Sequence, residues 1–186
     1  MSEQALDLRR MTFAEAAALD PDRHAGELDE GRWVPMTRNT WRHAEVVANV
    51  VVVLKAYARE HAGWRVAAGD PGAKLRREPD VLRGPDVAIV RAERRPTGRG
   101  EAGWLEGAPE VAVEIAGDSQ PTAKLLKKAM EYLEAGSKMV WVVEPEGETV
   151  VVLTPPDHLR VLGAGEALDG GEALPGFRCE VRELFE

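Results

Sequence analysis

A chain of 186 residues with one cysteine, Cys179, and a formal net charge of −8 is long enough to bury a real core, while its lone thiol excludes an intrachain disulfide and a multi-cysteine zinc site. The acidic balance argues against an indiscriminate DNA coat, because non-specific affinity for nucleic acid comes mostly from Lys and Arg neutralising phosphates. The opening MSEQALDLRR lacks the apolar centre of a signal peptide and no apolar run reaches bilayer-spanning length, so a soluble, cytoplasmic protein without membrane contact is expected.

Thr12, Phe13, Ala14 and Glu15 have capping-box spacing and predict a short helix that ends before Asp20 and Pro21. GELDEGRWVPM reads as a strand pair turning through Gly31, with Trp33 and Met36 buried. From Thr40 to Arg59, His43, Val47, Val50, Leu54 and Tyr57 recur at steps of three and four, which predicts a long amphipathic helix. The valine-rich VVANVVVVL leaves a long strand as the competing reading, since β-branched residues lose χ1 freedom in a helix.

Trp64 to Ala68 reads as a strand, and the first half of GDPGAKLRREPDVLRG as loop. PDVAIV starts a strand directly after Pro85. RAERRPTGRGEAGW is charged and glycine-rich, the pattern of an exposed, mobile connection. In EVAVEI, alternation places Val111, Val113 and Ile115 on one face and Ala112 and Glu114 on the other. A helix from about Thr122 to Ala135 follows, stopped by Gly136. MVWVVE suits an interior strand and ETVVVLT the second arm of a hairpin, so the strand, helix and strand in this order imply a parallel pair. Towards the end, LPGF turns the chain into a last strand, and Leu184 and Phe185 anchor in the core. With no internal repeat or linker, the expectation is a single α/β or α+β domain over residues 1–186.

The chemistry gathers on two of these strands. If PDVAIV and EVAVEI are antiparallel neighbours, Asp86 and Glu114 meet at one sheet edge, and paired carboxylates with a nearby ammonium are what a Mg²⁺-dependent phosphodiester hydrolase requires. Taken singly, Glu114 also reads as the solvated face of a two-faced strand, and Asp86 as a turn residue or cap. On the helix after Glu114, Lys127 and Lys128 flank an apolar stripe of Leu125, Leu126, Ala129, Met130 and Leu133, so spacing does not choose between them. Lys124 and Tyr132 lie one turn either side of Lys128. The run Lys74, Arg76, Arg77 and Arg83 leads to Asp86 and reads either as a basic strip facing substrate or as a solvated face.

PDVAIV, APEVAVEIAGDS, KKAMEYLEAGSKMVWVVEP and the closing LPGF and ELF together resemble the Uma-two family of bacterial endonucleases, within the PD-(D/E)XK or restriction-endonuclease-like superfamily. MTFAEAAAL, GELDEGRWVPM and His43 are similar to that family's opening. The resemblance implies a mixed central sheet flanked by helices. It implies Asp86, Glu114 and the main-chain carbonyl of Ile115 as ligands of Mg²⁺ or Mn²⁺, with Lys128, paired with Tyr132, as the catalytic lysine. Ala116 stands where the superfamily's usual lysine would be. Glu27 matches an early acidic position that completes the site directly or through water. A buried helical histidine such as His43 is more often a hydrogen-bonded core residue than a catalytic one.

The chain departs from the family after the acid, where Gly117, Asp118 and Ser119 replace a serine-proline-serine-like turn and add a third acid near the site. The expected function is metal-dependent hydrolysis of nucleic-acid phosphodiesters, with DNA as partner, by a monomer or a homodimer. Two alternatives stand beside it: a catalytically inert nuclease fold serving as a binding or scaffolding module, and a hydrolase of another phosphoester.

Overall fold

The computed structural model describes residues 10–20, 24–117, 122–156 and 158–186. Helix α1 (Phe13–Ala17) begins at a complete capping box: the Thr12 hydroxyl accepts from Glu15 N, and the Glu15 carboxylate accepts from Thr12 N at 2.8 Å. Strands β1 (Gly26–Asp29) and β2 (Arg32–Pro35) pair antiparallel, with Gly31 at a φ of 80° in the turn. Trp33 is buried as expected; Met36 is only half-buried.

Helix α2 (Trp41–Glu60) settles the valine-rich segment as helix. Its buried stripe is His43, Val46, Val50, Leu54 and Tyr57, so Val46 takes the place expected of Val47, which packs at the margin. Burial of that stripe outweighs the small entropic cost of helical valines, because tertiary packing of one face supplies most of a helix's stability.

Strand β3 (Trp64–Ala68) is as predicted. Beyond it the loop reading fails, since Ala73–Arg76 is a strand, β4, paired antiparallel with β5 (Val81–Arg83). The alternation of Ala73, Lys74, Leu75 and Arg76 in β4 is only four residues long and is crossed by the burial of Lys74 beside Ala73; pairing with β5 supplies the ladder that makes it a strand. Strands β6 (Val87–Arg91), β7 (Leu105–Glu106) and β8 (Val111–Ile115) follow, then helix α3 (Thr122–Glu134). The glycine-rich connection between β6 and β7 contains two short 3₁₀ turns, Ala92–Arg94 and Gly100–Gly103.

Strands β9 (Met139–Glu144) and β10 (Thr149–Thr154) make the expected hairpin, and β8 and β9 the expected parallel pair. Unforeseen is β11 (His158–Gly163), which extends the hairpin at the sheet edge. The tail closes with β12 (Ala167–Asp169) paired to β13 (Arg178–Glu180), and Leu184 and Phe185 are buried as predicted.

Among the described residues the strands form a six-stranded sheet in the order β11-β10-β9-β8-β6-β3, a five-stranded sheet in the order β2-β1-β5-β4-β7, and the β12-β13 pair. Alternation along β8 sends Val111, Val113 and Ile115 into a core shared with α2 and the C-terminal residues, while Ala112 and Ala116 face α3. The architecture is a mixed α+β fold with one helix on each face of the large sheet. The small sheet meets the large one where β5 runs through Gly84 and Pro85 into β6.

Candidate active site

Antiparallel pairing of β6 with β8 sets Val87 opposite Val113, so the residue before β6 reaches the C-terminal end of β8. There Asp86 Oδ2 accepts from the backbone N–H of Ile115 at 2.7 Å, and Oδ1 lies 2.9 Å from His43 Nε2. The sheet-edge convergence predicted for Asp86 and Glu114 is present. His43 comes from the first turn of α2, fixed there because Thr40 Oγ1 caps its backbone N–H at 3.4 Å. His43 Nδ1 is buried without a partner.

Glu114 is not on a solvated face: it is 3 % exposed, and β8 is buried on both sides. Its Oε1 accepts from Tyr132 OH at 2.8 Å and its Oε2 from Lys128 Nζ at 3.3 Å. The same ammonium donates to Glu27 Oε1 at 2.8 Å, which also accepts from Gly84 N at 3.1 Å. Lys128 is therefore the lysine the structure brings to the acids, whereas Lys127 stands exposed and pairs with Asp29 at 3.0 Å. The expected stripe on α3 is rotated. Leu125, Lys128, Ala129 and Tyr132 are the buried positions, and Met130 is 41 % exposed, because the polar groups beneath α3 draw Lys128 and Tyr132 inward.

The basic strip divides: Arg76 and Arg77 are exposed, as on a solvated face, whereas Lys74 and Arg83 are buried. Arg83 is 3 % exposed and bonds Glu131 at 2.6 and 3.0 Å, Asp29 at 2.8 Å and Glu27 at 3.4 Å. Lys74 pairs with Glu106 and Glu101, Arg76 with Glu30, and Arg77 with Glu101. Each of the four cations is matched to acids of the fold, and Arg83 is a structural tie between β5, β1 and α3.

Glu27, His43, Asp70, Asp86, Glu114, Ile115, Lys124 and Lys128 line one cleft of about 400 Å³ at the junction of the two sheets. Asp70 was not singled out from sequence. It follows β3 in a left-handed conformation, φ 57°, which Asp tolerates better than most residues. The signal for it was a Gly-Asp-Pro-Gly turn directly after the strand that flanks PDVAIV. Asp118 and Ser119, expected to place a third acid near the site, lie outside the described residues.

The acids crowd one another. Burial, then the charges of Asp86 and Glu27, push the Glu114 carboxyl up to about 7 against the pull of Lys128 and Tyr132. Burial and the same two acids raise Asp70 to about 6. Burial works against the Lys128 ammonium, yet Glu114 and Glu27 hold its pKa above the ordinary lysine value. His43 is likewise raised, against burial, by its bond to Asp86 and that residue's charge. Burial and the nearby acids Glu114 and Glu27 keep the Tyr132 phenol far from ionising.

Among the described residues no group of three or more His, Cys, Asp or Glu side chains forms a ready-made cation site. The oxygen groups that the cleft offers include the carboxylates of Asp86 and Glu114, beside Ile115. Hard oxygen donors of this kind suit Mg²⁺, which keeps waters and substrate oxygens as its remaining ligands rather than an all-protein cage. Burial first, and then the charges of neighbouring acids, raise Glu114 and Asp70, and a divalent cation would relieve that crowding of negative charge, so these carboxylates suit the group.

A solved structure described as a "putative nuclease belonging to DUF820", from Anabaena variabilis, superposes with a TM-score of 0.81 at 20% identity, covering 94% of this chain and 97% of that one. At that identity the likeness speaks for the fold. No curated protein matches the chain. The profile of the Uma2 family, described as "Putative restriction endonuclease", matches residues 10–182 and so spans every residue of the cleft: the chain belongs to that family.

Proposed function

We propose that this chain is a metal-dependent endonuclease that hydrolyses phosphodiester bonds of DNA, with Mg²⁺ or Mn²⁺ held by Asp86, Glu114 and the Ile115 carbonyl. The observation that carries the reading is the Asp86–Ile115 bond of 2.7 Å, which joins the two acidic strand ends at one point, with Lys128 reaching Glu114 at 3.3 Å from α3. A bound divalent cation would supply Lewis acidity to the phosphate and the attacking water.

The chain's own groups take distinct roles around it. Asp86 is aimed by two donors, the Ile115 N–H and His43. Glu114 is aimed by the Tyr132 hydroxyl, which stays protonated and donates. Lys128, held charged by Glu27 and Glu114, cannot serve as a general base near neutral pH; its ammonium offsets the charge that grows on the phosphate oxygens. Glu27 orients that ammonium and is itself fixed by Gly84 N. Two such chains acting on opposite strands would cut a duplex, which is the argument for a homodimer.

Replacing Glu114 by Ala is expected to abolish Mn²⁺-dependent nicking of supercoiled plasmid while near-ultraviolet circular dichroism stays that of the parent. A variant that nicks as fast as the parent would refute the site. The second reading, a nuclease fold retained as a binding module without catalysis, draws on the pairing of Lys74, Arg76, Arg77 and Arg83 with acids. Calorimetric titration separates the two: saturable Mn²⁺ binding that is lost in Asp86→Ala favours the enzyme, and no binding to the parent favours the inert module.

A further inference from the structure

Nucleic acid brings a dense line of negative charge to a chain that is itself strongly acidic, and the basic run Lys74, Arg76, Arg77 and Arg83 that leads to Asp86 is already paired with acids. Within the cleft, Lys128 is occupied by Glu27 and Glu114. Two other cations line the same cleft: Arg38, in the link between β2 and α2, and Lys124, in the first turn of α3. Both are exposed, and among the described residues neither makes an ion pair or side-chain hydrogen bond. Their placement is complementary. Arg38 leads into the helix that packs on one face of the large sheet, and Lys124 belongs to the helix on the other face. The two thus reach the cleft of Asp86 and Glu114 from different elements.

We propose that Arg38 and Lys124 form a phosphate clamp that seats a nucleic-acid backbone across the acidic cleft, and that this chain engages a duplex through these two phosphate contacts rather than through an extended basic surface. The inference rests on the nuclease reading and deepens it. An exposed guanidinium or ammonium with no competing acid gives its full charge to a phosphate, whereas cations already bonded to Glu or Asp release few counterions on binding.

The count of contacts is measurable, because each neutralised phosphate contributes a slope of about 0.9 to the fall of log affinity with log salt. Fluorescence anisotropy of a labelled DNA duplex, with Ca²⁺ in place of Mg²⁺ and a series of KCl concentrations, should give a slope of about 2 for the parent chain. Arg38→Gln and Lys124→Gln should each lower the slope by about 1, and the double variant should abolish it. Arg76→Gln and Arg77→Gln should leave it unchanged. A parent slope well above this, slopes unaltered in Arg38→Gln and Lys124→Gln, or a loss in Arg76→Gln or Arg77→Gln would each overturn the clamp. A parent that binds no duplex overturns it as well, and Mn²⁺-dependent plasmid nicking then tells the two failures apart: nicking that persists leaves the nuclease reading standing, and none sinks both.

Discussion

Glu114 concentrates the site's conflicts in one side chain, since it is buried, faces other acids, and must be ionised to hold a cation. With its carboxyl raised from 4.5 to about 7, a proton competes with metal below that pH. Mn²⁺ affinity measured by calorimetry should therefore fall by roughly tenfold per pH unit below about 7 and level off above it. Stability runs the opposite way. A carboxyl whose folded pKa is raised stabilises the fold fully below its unfolded value, and that contribution is lost as pH rises through about 7. Urea unfolding of Glu114→Gln should accordingly show less loss of stability between these values than the parent. Lys128→Met should lower the nicking rate by about 10²- to 10³-fold, and Lys127→Met should not, because only Lys128 reaches the acids. At this scale the sequence was readable as far as strand alternation reaches: it placed Glu114 opposite the apolar face and Asp86 at a strand start. Spacing alone left Lys127 and Lys128 open and the family resemblance named Lys128; the buried carboxylates beneath α3 are the physical reason that it is the one drawn inward. Asp70 sat in a turn whose role depends on which strand lies beside it.

Helices and strands here are set by their ends and their ties as much as by their apolar faces. Thr40 caps α2 through His43 N, so Thr40→Ala should cost about 1 kcal/mol of stability by urea unfolding and loosen the turn that presents His43 to Asp86. Arg83 joins β5 to β1 and α3, buried among Glu27, Asp29 and Glu131. Removing its guanidinium takes a charged partner from buried Glu27 and from the part-buried Asp29 and Glu131, so Arg83→Met should lose about 1–3 kcal/mol in the same measurement. Elements with a strong local signal, such as the capping box of α1, the period of α2 and the alternation of β8, were legible from sequence. β4 and β11 were not. One is half-exposed and charged, the other an edge strand with Leu159 and Val161 largely exposed, and both are strands because a neighbouring strand offers hydrogen-bond partners. Arg83 was misread for a related reason: a cation's charge is visible in the sequence, and the acids that cancel it lie up to 56 residues away.

The cleft belongs to the junction of the two sheets, so its geometry should answer to that junction rather than to the stability of the molecule as a whole. Gly84 is the narrowest point of the link: a Cβ there would lie 2.9 Å from Asp70 Cβ and 3.0 Å from the Asp70 carbonyl oxygen, distances that force one side to move. Its N–H also holds Glu27, so a shift would reach Lys128 as well. Leu184 offers the contrast. It is fully buried in the core under α2, beside a C-terminal turn whose carbonyls take bonds from Arg42 and Asn49, and it is absent from the cleft. Leu184→Ala should cost about 2–5 kcal/mol by creating a cavity, yet the fraction that remains folded should bind Mn²⁺ as the parent does. Gly84→Ala should cost less, about 1–3 kcal/mol, and still weaken Mn²⁺ binding several-fold. Equal affinities in the two variants, or a larger loss in Leu184→Ala, would mean that metal affinity follows global stability and that the link between the sheets does not position the acids.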